Sequence, residues 1–239
     1  MTKYTKNQIK VLDEKFSFFT NKKIFEPNLT TMLLIEAAKK VIKLKYKVLD
    51  LGCGSGIIGC YLYKKKIIKY IYGSDISKSA VNCSIYNSKK ITKKFDIRQS
   101  NLLSNWKDEK FDLIINDISG ISSRINKISK WFKFAPNESG SDGTKFTINI
   151  LTDYKNKKFH NAKLIFPVLG LSNREKIISF LKRNRIKYKI LAKKEWPLPK
   201  DLVRYKSLLK KLKKEKKINY YEKFSIFFTT TEIFYLNNQ

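Results

Sequence analysis

The segment Val48-Leu-Asp50-Leu-Gly52-Cys-Gly54-Ser-Gly56-Ile-Ile-Gly59 restricts what this chain can fold into more than any other. A short apolar strand runs into three alternate glycines, and a helix must open at once behind them and continue to about Lys65. Glycine is required where the backbone turns tightly and a ligand approaches it closely. The amides that open the helix are expected to face that ligand with a partial positive charge, suited to a phosphate or a carboxylate. Nineteen residues beyond Gly56 the next predicted strand ends at Asp75, placed to accept hydrogen bonds from both hydroxyls of a ribose. The pattern predicts a cofactor containing a nucleoside; its plainer alternative is a glycine turn that serves packing alone.

The rest of the chain continues the alternation. Leu33, Ala37, Val41 and Leu34, Ala38, Ile42 recur every four residues and predict an amphipathic helix from Thr31 to near Leu44. A helix near Ser79 to Ser88 leads to a short strand around Ile97, and Phe111 to Asn116 is an apolar strand of the kind buried on both faces. A loop-rich stretch over 117–143 and a helix near 144–155 precede a strand at Lys163 to Val168, whose Pro167 is expected to end the regular ladder. Ser172-Asn-Arg-Glu175 has capping-box spacing and opens a helix to about Arg183. A strand at 187–193, a lysine-rich helix at 200–217 and a strand at 224–236 complete the chain. The fold class is therefore α/β: a doubly wound, mostly parallel seven-stranded sheet with an antiparallel edge. Residues 1–30 read as an N-terminal extension to a domain spanning 31–239.

Gly54-Ser-Gly56-Ile-Ile-Gly59 satisfies the GxGxxG pattern of dinucleotide enzymes, so a nicotinamide-dependent oxidoreductase is one reading. The acid Asp50, two residues ahead of Gly52, favours another, because Asp-Leu-Gly-Cys-Gly-Ser-Gly resembles the loop of the class I S-adenosylmethionine (SAM) dependent methyltransferases. The resemblance spans roughly residues 45 to 195. It implies a Rossmann-like methyltransferase fold, SAM as cofactor, and Asp50, Gly52, Gly54 and Gly56 as its loop. It further implies that Asp75, followed by Ile76, holds the ribose, that Asn101 and Leu102 border the adenine, and that Asn116 borders the transferred methyl. Glu26-Pro27-Asn-Leu-Thr-Thr31 and Ser139-Gly-Ser-Asp-Gly143, with Phe146 and Ile150 after it, resemble the branch of small-domain enzymes that includes the release-factor glutamine methyltransferases. Where that branch carries Asn-Pro-Pro-Tyr this chain reads Asn116-Asp117-Ile118-Ser119, keeping the asparagine without the prolines and the stacking aromatic. Those residues clamp a planar nitrogen, so the resemblance leaves the methyl acceptor unnamed. Asn116 and Asp117 are the candidate catalytic residues: the amide to orient an acceptor, the carboxylate either to take its proton or to cap the following turn.

Charge is the remaining outlier. Lysine plus arginine number 51 against 20 acids, a net +31 that attracts polyanions such as RNA or a ribosomal surface. Codon bias toward lysine is the competing explanation, since only six of the 51 are arginine. A catalytically silent, SAM-fold RNA-binding protein is accordingly a second alternative. In the lysine-rich helix Leu208, Leu209 and Leu212 fall on one side, which fits a phosphate-contacting or a merely solvated face. Trp131-Phe-Lys-Phe134 and Trp196-Pro-Leu-Pro199 are candidates to stack on an acceptor or to brace loops, and His160 is given no catalytic role. Cys53, Cys60 and Cys83 lack metal-ligand spacing, so neither a metal nor a disulfide is expected. No apolar run approaches the ~20 residues of a membrane span and the chain starts without a signal-peptide core, so a cytoplasmic, monomeric protein without membrane contact is expected.

Overall fold

A computed structural model describes residues 3–118, 120–129, 131, 138–156 and 162–237. In chain order the elements are β1 (Thr5–Val11), β2 (Glu14–Thr20), α1 (Leu29–Val41), β3 (Val48–Leu51), α2 (Ile57–Lys64), β4 (Ile71–Asp75), α3 (Lys78–Lys89), β5 (Phe95–Gln99) and β6 (Leu113–Asn116). They continue with α4 (Ser123–Ile128), α5 (Lys145–Lys155), β7 (Lys163–Leu169), α6 (Arg174–Arg183), β8 (Tyr188–Pro197), α7 (Lys200–Val203), α8 (Lys206–Lys214), β9 (Tyr221–Lys223) and β10 (Ile226–Leu236). Ser119, Phe132, Phe134 and His160 lie outside the described residues.

The main sheet runs β5-β4-β3-β6-β7-β10-β8, with β9 paired to the far end of β10. Strands β5 to β7 are parallel, and β10 is antiparallel to both neighbours. The antiparallel closure thus comes from the last long strand slotting between β7 and β8, which leaves β8 as the edge. Successive residues of the central strands feed opposite cores, as the pleat requires. Val48, Leu113, Ile115 and Ile165 join the layer with α1 and α2, whereas Leu49, Ile114, Leu164 and Phe166 join the layer with α5 and α6. A third, smaller cluster lies under α7 and α8, where Leu202, Leu209 and Leu212 pack with Ile121, Ile125, Leu171 and Phe227.

Four local expectations shift. The N-terminal segment, read as an extension without assigned elements, forms the β1–β2 hairpin. Its alternating Phe16 and Phe18 are buried in the main core, and Asn87 of α3 pairs with both backbone groups of Phe19 at 2.8 Å. The cap of α6 is Asn173, not Ser172, because the Ser172 hydroxyl is donated back to the Leu169 carbonyl at 2.7 Å. Pro167 ends only one ladder: β7 leaves β6 after Ile165 but stays paired with β10 through Leu169. The lysine-rich helix is broken in two at 204–205, and among the described residues no helix is long and apolar enough to cross a membrane.

Candidate active site

The site lies at the carboxyl ends of β3, β4, β5 and β6, where a doubly wound sheet binds its ligands. A cavity of about 430 Å³ opens there, within the range of small-molecule sites. Gly52, Gly54, Asp75, Ile76, Asn101, Leu102 and Asp117 line it, so seven of the ten residues singled out from the sequence converge on one space. Asp50, Gly56 and Asn116 stand behind its wall.

Each glycine has its own reason. Gly52, Gly54 and Gly56 all have positive φ, at 80°, 54° and 77°. A Cβ on Gly52 would come within 2.6 Å of Ile118, and one on Gly56 within 2.3 Å of the Ser84 hydroxyl. A Cβ on Gly54 would meet nothing within 4 Å, so the space above that residue belongs to the cavity. The loop amides ahead of the helix have partners within the protein. Gly52 and Cys53 both donate to the Ser74 carbonyl, at 2.8 and 2.9 Å, and Gly54 donates to Asp75 Oδ2 at 3.0 Å. These three N–H groups are consumed in pinning the loop to β4. Asn87 anchors the same loop from outside by donating to the Ser55 carbonyl at 2.8 Å.

Asp75 is held by two backbone donors, Gly54 and Ser77, the latter to Oδ1 at 2.9 Å. Burial raises its pKa, and these hydrogen bonds oppose the rise. Asp50 is buried at the end of β3. Its Oδ2 accepts from Gly59 at 3.3 Å, and its Oδ1 has no partner among the described residues. Desolvation, and after it the charge of Asp117, lifts the Asp50 carboxyl to about 8. Asp117 follows β6 and its Oδ2 accepts the Thr31 hydroxyl at 2.8 Å. Burial drives its pKa to about 7, and the Thr31 hydrogen bond works against that rise.

The turn after β6 is capped by Asn116, not by Asp117. Asn116 Oδ1 accepts from the Ile118 amide at 3.1 Å, whereas the Asp117 side chain reaches across to α1. Asn116 is 2% exposed and does not reach the cavity surface, so its amide serves the backbone here. Thr31 is the functional contact that sequence reasoning missed. Its signal was present in the Asn28-Leu-Thr-Thr31 box, where Asn28 caps α1 and Thr31 answers it, presenting Thr31 at the start of α1 toward β6. Pro27 and Phe146, from the two segments that resemble the small-domain branch, also line the cavity. Trp196 does not; its indole N–H donates to Thr231 at 3.1 Å and braces the sheet edge. Trp131 is likewise absent from the cavity wall.

The chain is similar to known proteins in sequence and in fold. Residues 15–117 match the family described as Methyltransferase small domain. The chain is similar to a ribosomal protein L11 methyltransferase of Thermosipho melanesiensis, 42% identical over 89 residues that make up 37% of this chain and 34% of the relative. It is also similar to a release factor glutamine methyltransferase of Borreliella burgdorferi, 35% identical over 159 residues, 62% of this chain and 54% of the relative. The chain thus spans about a third of the first relative's length and about half of the second's. Among solved structures, the E. cuniculi Mtq2-Trm112 complex, responsible for methylation of the eRF1 translation termination factor, superposes with a TM-score of 0.53 over 91% of this chain and 99% of that one. At 14% identity that likeness concerns the fold.

Proposed function

We propose that this protein transfers a methyl group from SAM to a component of the translation machinery, with residues 31–239 as the transferase domain, the N-terminal hairpin packed into its core, and Asp117 as the general base. The observation that carries the reading is the grouping of carboxyl groups around the cavity. In a chain of net +31, Asp75 and Asp117 line the cavity and Asp50 stands behind it, next to loop amides already committed to Ser74 and Asp75. With Asp50 held largely neutral and Asp117 titrating near neutrality, the cavity offers carboxyl acceptors and, among the described residues, no cluster of cations for a pyrophosphate, which suits a nucleoside with an amino-acid tail and favours SAM over a nicotinamide dinucleotide. The space above Gly54 and the unpartnered Asp50 oxygen fit the same group. When bound, SAM supplies a methyl activated on a sulfonium, so the protein is left to align, desolvate and deprotonate the acceptor. Asp75 would hold the ribose hydroxyls, and Asn101 and Leu102 the adenine edge. Asp117, poised near neutrality and oriented by Thr31, takes the acceptor's proton as the new bond forms.

The acceptor class follows the relatives, whose names specify a ribosomal protein and a release factor. Two measurements test the proposal. Isothermal titration should show binding of SAM and S-adenosylhomocysteine but not of NAD. Methyl-labelled SAM incubated with fractionated lysate should label a ribosomal, release-factor or RNA fraction. Tight NAD binding without a SAM response would overturn the assignment.

A further inference from the structure

The chain between β8 and β10 is an insertion with its own small core, and its outward face combines two features found together in nucleic-acid binders. Residues 200–225 carry ten cationic side chains against three carboxylates, Asp201, Glu215 and Glu222. Leu209 and Leu212 turn α8 inward, which leaves Lys206, Lys210, Lys211, Lys213 and Lys214 exposed. Lys213 is partly spent on the Tyr220 carbonyl, Lys216 pairs with Glu175 at 3.9 Å and Lys217 pairs with Glu215 at 2.8 Å. Among the described residues Lys210 and Lys214 have no ion-pair partner.

The second feature was not legible in the sequence, where residue 224 reads as the start of a strand. Phe224 and Ser225 instead form the two-residue tip of the β9–β10 hairpin, and both have positive φ, 51° and 58°. Such a turn ordinarily takes Asn-Gly, because a side chain in that conformation is strained. Here a phenylalanine is kept in it, 84% exposed, with the Lys223 ammonium 5.2 Å from its ring centre. Strain retained to hold an apolar ring in water points to use of the ring. The insertion is also clamped beside the cavity. Leu169 lines the cavity, and the next residue, Gly170, donates to Thr230 at 2.6 Å and accepts from Asn219 at 2.5 Å at the foot of the hairpin.

We infer that the insertion docks single-stranded RNA beside the cavity, with the α8 lysines along the phosphates and Phe224 stacked on a base. An aromatic ring set among lysines suits sequence-tolerant stacking and backbone tracking. A membrane surface is less well matched: Leu209 and Leu212 of α8 are buried and Leu208 half-buried, and the tip offers only Phe224 and Ile226 beside Glu222 and Lys223 rather than a continuous apolar face. The inference goes beyond the methyl-transfer reading and is measured without it.

The test is fluorescence polarisation of the full chain with a short labelled single-stranded RNA, its duplex, and vesicles of phosphatidylcholine with phosphatidylserine, across a salt series. The wild type should prefer the single strand and weaken linearly in log affinity against log salt. Phe224→Ala should lose about 5- to 100-fold in single-strand affinity, the worth of one stacked base. Lys210→Glu with Lys214→Glu should flatten the salt slope by about two, one for each phosphate contact. Phe224→Gly relieves the turn, so its melting temperature should rise by about 2 to 4 °C while RNA affinity falls, a combination a structural role would not produce. Calorimetric SAM affinity should stay at the wild-type value in every variant. Undiminished RNA binding by Phe224→Ala, or Phe224-dependent binding to vesicles rather than RNA, would overturn the inference.

Discussion

Asp117→Asn separates catalysis from architecture because the structure predicts opposite signs for the two. In the folded protein Asp117 titrates at about 7 against an ordinary 3.8, chiefly through burial. Native protein therefore holds a proton that the unfolded chain has released between these two values, and stability falls as pH rises through that window. At about 1.4 kcal/mol per pH unit, keeping the carboxylate charged costs the native state up to about 4 kcal/mol above pH 7. Residual contact with water reduces this to roughly 2 to 4 kcal/mol. The same charge also raises Asp50, so removing it relieves both groups. Asparagine has the same shape and no charge. Its stability gain, measured by denaturant unfolding, should grow from near zero at pH 4 to that ceiling at pH 8. Methyl transfer should meanwhile fall by roughly 100- to 10,000-fold with SAM affinity nearly unchanged. A loss of about 0.5 to 2 kcal/mol independent of pH, as for a turn cap, would refute the burial argument. Wild-type turnover in a stabilised variant would refute the base.

Thr31→Val removes the hydroxyl that favours the charged form of Asp117, so the acid limb of the rate profile should move up by about one pH unit. Asp75→Ala should weaken SAM binding in a titration by roughly 1.5 to 3 kcal/mol, the cost of hydrogen bonds lost from a charged group. The glycines should divide by assay: Gly56→Ala meets the Ser84 hydroxyl and should lower the melting temperature, whereas Gly54→Ala finds open space and should reduce SAM affinity with the smaller effect on melting. Arg174→Ala leaves Glu232, only 4% exposed, with Lys193 at 4.0 Å, and should destabilise by about 1.5 to 3 kcal/mol in chemical unfolding.

Local signals sufficed for the parallel half of the sheet and for seven of the residues that line the cavity. Strand, glycine turn and helix follow one another within a dozen residues around Gly54, and Asp75 ends the next strand, so covalent spacing alone delivers both to one sheet end. The alternation of Phe16 and Phe18 with Lys15 and Ser17 carries the period of two that marks the second strand of the N-terminal hairpin. What spacing could not supply is any pairing across long separations. Asp117 meets Thr31 over 86 residues, Asn87 ties Phe19 to the glycine loop, and β10 slides between β7 and β8. Whether an amide faces a ligand or Ser74, and whether Asn116 or Asp117 caps a turn, depends on which partner the packed core brings within 3 Å. The chain itself determined which groups exist and which share a strand end; tertiary burial decided their charge, because desolvation acts only once the surrounding elements have closed over a carboxylate.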